Sequence, residues 1–495
     1  MINDQRSKIK SGFGTWHPVF GIWYWVSFSM SNEQNENQEA SPGAPGKNPE
    51  RGGSAALDEN LELGIENLGE KGGEGLPQAL VGNSRQAGVA PAKAGADPFF
   101  SGRKHFPALD GLRAIAVIAV ISLHVRGYMG LKIPESGGVF ARFIFTASHH
   151  GAWGVDLFFV LSGFLITGIL VDARNRPHYF RNFYARRTLR IFPLYYGTLL
   201  CLLVLTPLIL GRVPAALEAG YKYQFWLWTY TTNVKDCISG QVFSNFSQFW
   251  TLAIEEQFYL VWPLVILLVP RKRLLLAIGA LVVAINIWRL GFWFSHSHII
   301  GASDVWVWIF AFTPFRADAL LAGAALAVMR SERALEKARP ILMALFPISS
   351  LVTFCCYFGL SRRYGWAPDA LMTQVTMAPF VLGSLMGIVL TSSPGSWVVK
   401  ALSVAPLRTV AKYSYAMYVF HLIYLREQCR LLPFPTMVGA LHSVLLGLIA
   451  YYAYGIGVAL VFAFASYHLY EKHFLKLKKY FPERAAAASS FSTDH

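Results

Sequence analysis

Charge is what this chain has least of. Only 15% of its residues are Asp, Glu, Lys or Arg, against about 25% in ordinary soluble domains. Apolar residues make up 54% of the chain and gather in repeated runs of about twenty residues. That pattern excludes a soluble globular domain and reads as a polytopic membrane protein. Strict polar–apolar alternation is missing too. Backbone groups in lipid must be bonded internally, so spans are helices or a closed barrel, and continuous runs exclude the barrel. Cysteine is scarce and odd in number, at five: Cys201, Cys237, Cys355, Cys356 and Cys429. With no metal spacing and two neighbours inside one run, these exclude a disulfide framework and read as apolar filler. No glycine-rich phosphate loop, metal-ligand spacing or dinucleotide fingerprint occurs, so neither a metal nor a resident cofactor is expected. The inverted repeat of many transporters is also absent.

What is present is an ordered set of spans. The apolar runs predict an all-α membrane bundle of ten transmembrane helices, at about 111–130, 152–171, 191–210, 251–269, 274–294, 306–329, 341–360, 373–391, 409–428 and 441–467. The net charge of +15 would suit nucleic acid, but the cations collect in alternate loops. With the first span entering from the cytoplasm, one side carries Arg174, Arg176, Arg181, Arg186, Arg187 and Arg190, then Arg271–Arg273, Arg330–Arg339, Lys400, Arg408 and a Lys-rich tail from Lys472. This positive-inside bias makes the bilayer the partner, excludes nucleic acid and puts the start of the membrane domain in the cytoplasm.

The chain divides into an extension at 1–100, a membrane domain at 101–480 and a disordered cytoplasmic tail at 481–495. Residues 31–100 are rich in Gly, Ala, Pro, Asn, Glu and Ser and read as disordered. Trp16–Met30 is apolar but short for a span. It reads as an interfacial segment, a cleaved signal, or a stretch left untranslated ahead of a start at Met30, with the first and last favoured. The loop from 211 to 250 holds the aromatic run Phe225–Trp228, suited to the outer interface.

Ionisable side chains inside the spans are costly and therefore functional candidates. Arg113 and His124 lie eleven positions apart in the first span. Eleven residues make three turns plus about 20°, so both share one helix face, separated by a rise of about 16 Å. Glu255 and Glu256 open the fourth span, with side chains about 100° apart that cannot face one cavity equally. Arg316 and Asp318 lie in the sixth span, two apart, and each needs a partner on another helix. Tyr418 and His421, three apart, share a face of the ninth. Ser162-Gly163 reads as a close-packing point between helices.

These residues fall within motifs. They are Phe106-Pro107-Ala108-Leu109-Asp110-Gly111-Leu112-Arg113 with His124; Gly154 to Thr167, containing Phe158-Phe159-Val160-Leu161-Ser162-Gly163; Arg186-Arg187-Thr188-Leu189-Arg190; Phe249 to Tyr259; Arg316 with Gly323; Ser414-Tyr415-Ala416-Met417-Tyr418 with His421; and Tyr470-Glu471. In this order, over about residues 105–480, the chain resembles the acyltransferase-3 family of integral-membrane acyltransferases. The resemblance implies transfer of an acyl group, usually acetyl, from cytoplasmic acyl-CoA as co-substrate to a hydroxyl, most often on a cell-surface or lipid-linked carbohydrate. It also implies a bacterial inner membrane. Many members carry a further extracellular esterase-like domain. Here the chain ends soon after the tenth span, so transfer is expected at the membrane domain itself or through a separate periplasmic transferase.

For such chemistry a hydroxyl needs a base working near neutral pH, which imidazole supplies. His124 is the candidate base, with His421 as a competitor. Arg113, Arg186, Arg187 and Arg190 are candidates for the CoA phosphates, because arginine binds phosphate bidentately; plain positive-inside charge is the competing reading, preferred for Arg174, Arg176 and Arg181. Arg316 is expected to compensate a carboxylate such as Glu255 or the developing oxyanion. Of the two glutamates, the family pattern favours Glu255. A transporter using the same buried charges is the rival class, and it accounts less well for the cytoplasmic arginine cluster and the Arg113–His124 pairing; a third reading, a scaffold of a polysaccharide export complex, is opposed by the buried ionisable groups.

Overall fold

A computed structural model describes residues 106–129, 137–240, 246–296, 302–364 and 368–482. The readings for residues 1–100, including Trp16–Met30, and for the tail beyond residue 482 lie outside the described residues.

Every regular element among the described residues is helical, as a backbone denied water requires. Helix α1 (Pro107–Tyr128) opens with proline in its first turn, where the missing N–H costs no helical bond. The short α2 (Gly138–His149) leads through a tight turn into α3 (Trp153–Ala173). Next, α4 (Tyr179–Leu199) runs on through a π turn to Leu210. A looped region of short helices ends with α5 (Thr232–Ser239). Then come α6 (Phe249–Leu268), α7 (Arg271–His296), α8 (Ala302–Ala311) and α9 (Thr313–Ser331). They are followed by α10 (Leu335–Tyr364), α11 (Pro368–Thr391), α12 (Trp397–Leu402) and α13 (Ala405–Leu431). Last are α14 (Phe434–Leu441) and α15 (Val444–Ser466), which continues in irregular turns to Tyr480.

Each of the ten expected spans overlaps a helix. Nine segments among the described residues are long and apolar enough to cross a membrane. The remaining span is α13, which fails that test because Arg408, Lys412, Tyr415, Tyr418 and His421 dilute its apolar content. It is at home because α1 and α15 pack along it. Helix α4 starts at Tyr179, well before the expected 191. Its basic first half interrupts the apolar run, yet arginine is a good helix former. The sixth span is broken at Phe312, just ahead of Pro314, which divides α8 from α9. Part of the Phe225–Trp228 run packs onto α4: Tyr196 stacks on Trp228 at 5.8 Å, and the Tyr195 and Tyr196 hydroxyls donate to the carbonyls of Leu227 and Trp228.

Helices α1, α3, α9 and α13 form the interior. The pairing of α3 with α9 is the most extensive in the bundle. At its crossing Gly163 meets the Leu320 backbone and Gly323 meets the Val160 backbone, each so closely that a Cβ would overlap a carbonyl oxygen. Small residues at such crossings let helices approach where lipid offers no hydrophobic drive to associate. Helices α7 and α10 lie outermost, with Leu276, Ile287, Phe294, Ile341 and Leu351 exposed on the surface that lipid would cover.

Candidate active site

The first helix carries two of the expected residues at its two ends. Arg113 lies in the second turn of α1 and His124 four residues before its last residue. Between α1, α3, α4, α6 and α13, at the arginine-rich end of the bundle, lies a cavity of about 390 Å³. That volume falls within the usual range for small-ligand pockets. Five cations line it, namely Arg113, Arg186, Arg187, Arg190 and Lys478, against three acids, Asp110, Glu255 and Glu256. All four expected phosphate-binding arginines are thus brought together. The wall is net positive.

The arginines differ in what they hold. Arg113 lies 3.7 Å from Asp110 one turn earlier in α1. The Arg187 guanidinium approaches the Tyr259 ring at 5.8 Å. Arg186 donates to the carbonyl oxygens of Lys478 and Phe481, at 3.3 and 3.0 Å, and so ties the segment after α15 to the rim. Lys478 was visible in the sequence only as part of a basic tail; its place in the wall depends on this long-range contact. Arg174, by contrast, donates to the Leu267 carbonyl and is absent from the cavity wall.

Glu255 and Glu256 both line the cavity. Their bonding separates them. Glu255 accepts from the Ser162 hydroxyl at 3.2 Å and from the Tyr259 hydroxyl at 2.8 Å, which links α6 to α3. One carboxylate oxygen of Glu256 is buried with no hydrogen bond among the described residues.

Deeper in, Thr251 and Tyr418 share a hydrogen bond of 2.6 Å between α6 and α13, and both line the cavity. The Tyr418 ring lies 5.4 Å from that of His421, one turn along α13. His421 Nε2 is in turn 3.2 Å from His124 Nδ1, with ring centroids 4.9 Å apart. His124 is not itself among the lining residues of this cavity; it follows Tyr418 and His421 as the third group inward. The sequence presented the two histidines as competitors, and the structure makes them neighbours.

Arg316 has a different partner from the one expected. It donates to Asp156 of α3, with the Phe159 and Phe310 rings at 5.7 and 5.5 Å, and it does not line the cavity. Compensation of Glu255 by Arg316 is therefore corrected: Glu255 is held by neutral hydroxyls. Asp318 is held by Arg289 of α7 at 2.8 Å, a residue not singled out in the sequence. Arg289 also donates to the carbonyl of Phe315 and to Asn286. The signal that could have found it is the spacing of Asn286 and Arg289, three apart and so on one face of an apolar helix.

The amino-acid sequence has relatives among known proteins. Peptidoglycan O-acetyltransferase OatA of Listeria monocytogenes is 31% identical over 330 residues, covering 64% of this chain and 49% of that protein. A Staphylococcus aureus protein provisionally named an O-acetyltransferase is 27% identical over 395 residues, or 75% of this chain and 58% of its own length. The Bacillus subtilis protein YrhL, provisionally named a peptidoglycan O-acetyltransferase, is 29% identical over 339 residues, or 64% of this chain and 48% of its own. The chain thus spans about half the length of these relatives. No solved structure is a significant match. The acyltransferase domain model Acyl_transf_3 matches residues 106–468, which takes in the cavity wall from Phe106 to Tyr418 and both histidines, and the chain belongs to that family of multi-pass membrane acyltransferases.

Proposed function

We propose that the protein moves an acetyl group from acetyl-CoA, bound at the cytoplasmic face, to a hydroxyl of a cell-surface carbohydrate. The names of the relatives favour a peptidoglycan glycan as acceptor. The observation that carries this reading is one cavity, cationic at its rim, whose inner wall leads through Tyr418 to a pair of histidines. Coenzyme A is a polyanion with a long neutral arm, and it matches such a gradient from charge to neutral polar groups. Arg113, Arg187, Arg190 and Lys478 would hold its phosphates, and Arg186 would keep Lys478 in place. The arm would enter between α3 and α6, where Ser162, Tyr259 and Glu255 are bonded to one another. His124 would act as general base. As the acceptor oxygen bonds to the thioester carbonyl carbon, its proton passes to His124; as the carbon–sulfur bond breaks, the thiolate takes that proton back. Because His124 lies at the end of α1 opposite Arg113, donor and acceptor would approach from opposite faces of the membrane. The setting would be a bacterial inner membrane, with α1 entering from the cytoplasm.

The test is transfer of radiolabelled acetyl from acetyl-CoA to peptidoglycan fragments by the full chain in vesicles. The expected result is label in the glycan for the wild type and none for a folded His124→Ala variant. Acetylation at the normal rate by that variant removes His124 from the mechanism. Movement of a glycan across the vesicle with no consumption of acetyl-CoA identifies a transporter instead.

A further inference from the structure

A carbonyl oxygen only accepts hydrogen bonds, so a ring nitrogen beside one carries the proton. His124 Nδ1 lies 2.8 Å from the carbonyl oxygen of Val120. His421 Nδ1 lies 2.7 Å from that of Tyr418. When neutral, both rings are therefore Nδ1–H tautomers with the lone pair at Nε2. The two rings then meet in one sense only: His421 Nε2 directs its lone pair at His124 Nδ1–H, 3.2 Å away. The His124 N–H is shared between a backbone carbonyl and an imidazole acceptor. His421 is 2% exposed and packed against Tyr418, so it has little room to turn.

We propose that His421 is a positioning residue for acetyl transfer, holding His124 as the Nδ1–H tautomer with Nε2 as its basic atom and sharing the positive charge that forms when Nε2 takes the acceptor proton. This rests on the reading of His124 as general base. His421 gains and loses no proton in the step; the proton travels from the acceptor hydroxyl to His124 Nε2 and on to the departing thiolate. The role is the one a carboxylate plays in serine hydrolases. Here a neutral acceptor serves it without adding a buried anion to the apolar layer. The arrangement also removes His421 as base, because its only lone-pair nitrogen already accepts from His124.

The experiment compares three variants with the wild type in vesicles, reading kcat and KM for acetyl-CoA with peptidoglycan fragments as acceptor. His421→Leu fills the space with no acceptor. His421→Gln places an amide oxygen about where Nε2 stands. His124→Ala reports on the underlying mechanism. The expected result is a fall in kcat of about 100-fold or more for His421→Leu, with KM for acetyl-CoA unchanged, and recovery to within about tenfold of wild type for His421→Gln. Wild-type kcat in His421→Leu overturns the proposal, as does a change confined to KM. Equal inactivity of folded Leu and Gln variants overturns it too, because it makes the imidazole ring itself indispensable. Should His421→Leu fail to insert, His421→Phe keeps a ring without the acceptor and is judged by the same outcomes. Activity in His124→Ala sinks the general-base reading; inactivity there beside normal His421→Leu sinks the positioning role alone.

Discussion

At the scale of single residues, the rim of the cavity separates arginines that otherwise look alike. Arg174 and Arg187 both belong to the basic stretch after α3, but only Arg187 lines the cavity, while Arg174 donates to the Leu267 carbonyl. A charge-assisted hydrogen bond is worth about 1.5–3 kcal/mol, so Arg187→Ala should weaken acetyl-CoA binding by about ten- to a hundredfold. It should also flatten the loss of affinity with salt, since one screened contact is gone. Arg174→Ala should leave affinity unchanged. Titration calorimetry of the purified protein at low and high salt checks both; equal effects of the two variants would mean that the basic loop attracts the donor as a diffuse field. Residue types and their clustering were legible here. Arg113 and the α4 arginines are legible as one group because positive-inside charge puts them all at the same end of their spans. Lys478 was not legible, because its contact with Arg186 closes a loop of nearly three hundred residues that no local pattern encodes.

At the scale of elements, helix existence followed from apolar runs, and the exceptions have physical causes. Helix α13 is too polar to pass as a span, yet it is buried because its tyrosines and histidine face other helices. Helix α4 hides its first half behind arginines. The break at Phe312 follows from Pro314 and was not expected inside a continuous apolar run. What spacing alone cannot supply is which helices cross. Ser162-Gly163 points to a close contact, and the partner of Gly163 proves to be the Leu320 backbone of α9, one turn before Gly323, which meets the Val160 backbone of α3. A valine at Gly163 or Gly323 meets backbone rather than a movable side chain. Such overpacking costs about 1–3 kcal/mol where side chains can yield and more where they cannot. Gly163→Val and Gly323→Val should each lower the thermal midpoint by several degrees or abolish folded yield in detergent. Gly279→Ala, with nothing within 4 Å of the added carbon, should behave as wild type. Fluorescence-detected size exclusion after heating reads the difference, and a stable Gly163→Val protein would show that α3 and α9 do not touch through their backbones.

At the scale of the whole molecule, two ion pairs fasten the interior. Arg316–Asp156 joins α9 to α3, and Arg289–Asp318 joins α7 to α9, all four groups being almost fully buried. Removing one partner of such a pair leaves an uncompensated charge and costs about 3–5 kcal/mol, whereas replacing both by apolar groups of similar volume is often neutral. Asp156→Ala should therefore be severely destabilised, and Asp156→Leu combined with Arg316→Met should recover most of the thermal stability. The double variant also decides what Arg316 contributes. Its place among the buried charges suits a role near the reacting atoms, but its bond to Asp156 and its absence from the cavity wall assign it to the α3–α9 interface. If it acts only through that interface, acetyl transfer should return in the double variant along with the folded bundle, measured as label passed from acetyl-CoA to peptidoglycan fragments. A double variant as stable as the wild type but inactive would return Arg316 to the chemistry, and the Asp156 pair would then be the resting partner of a group that moves during turnover.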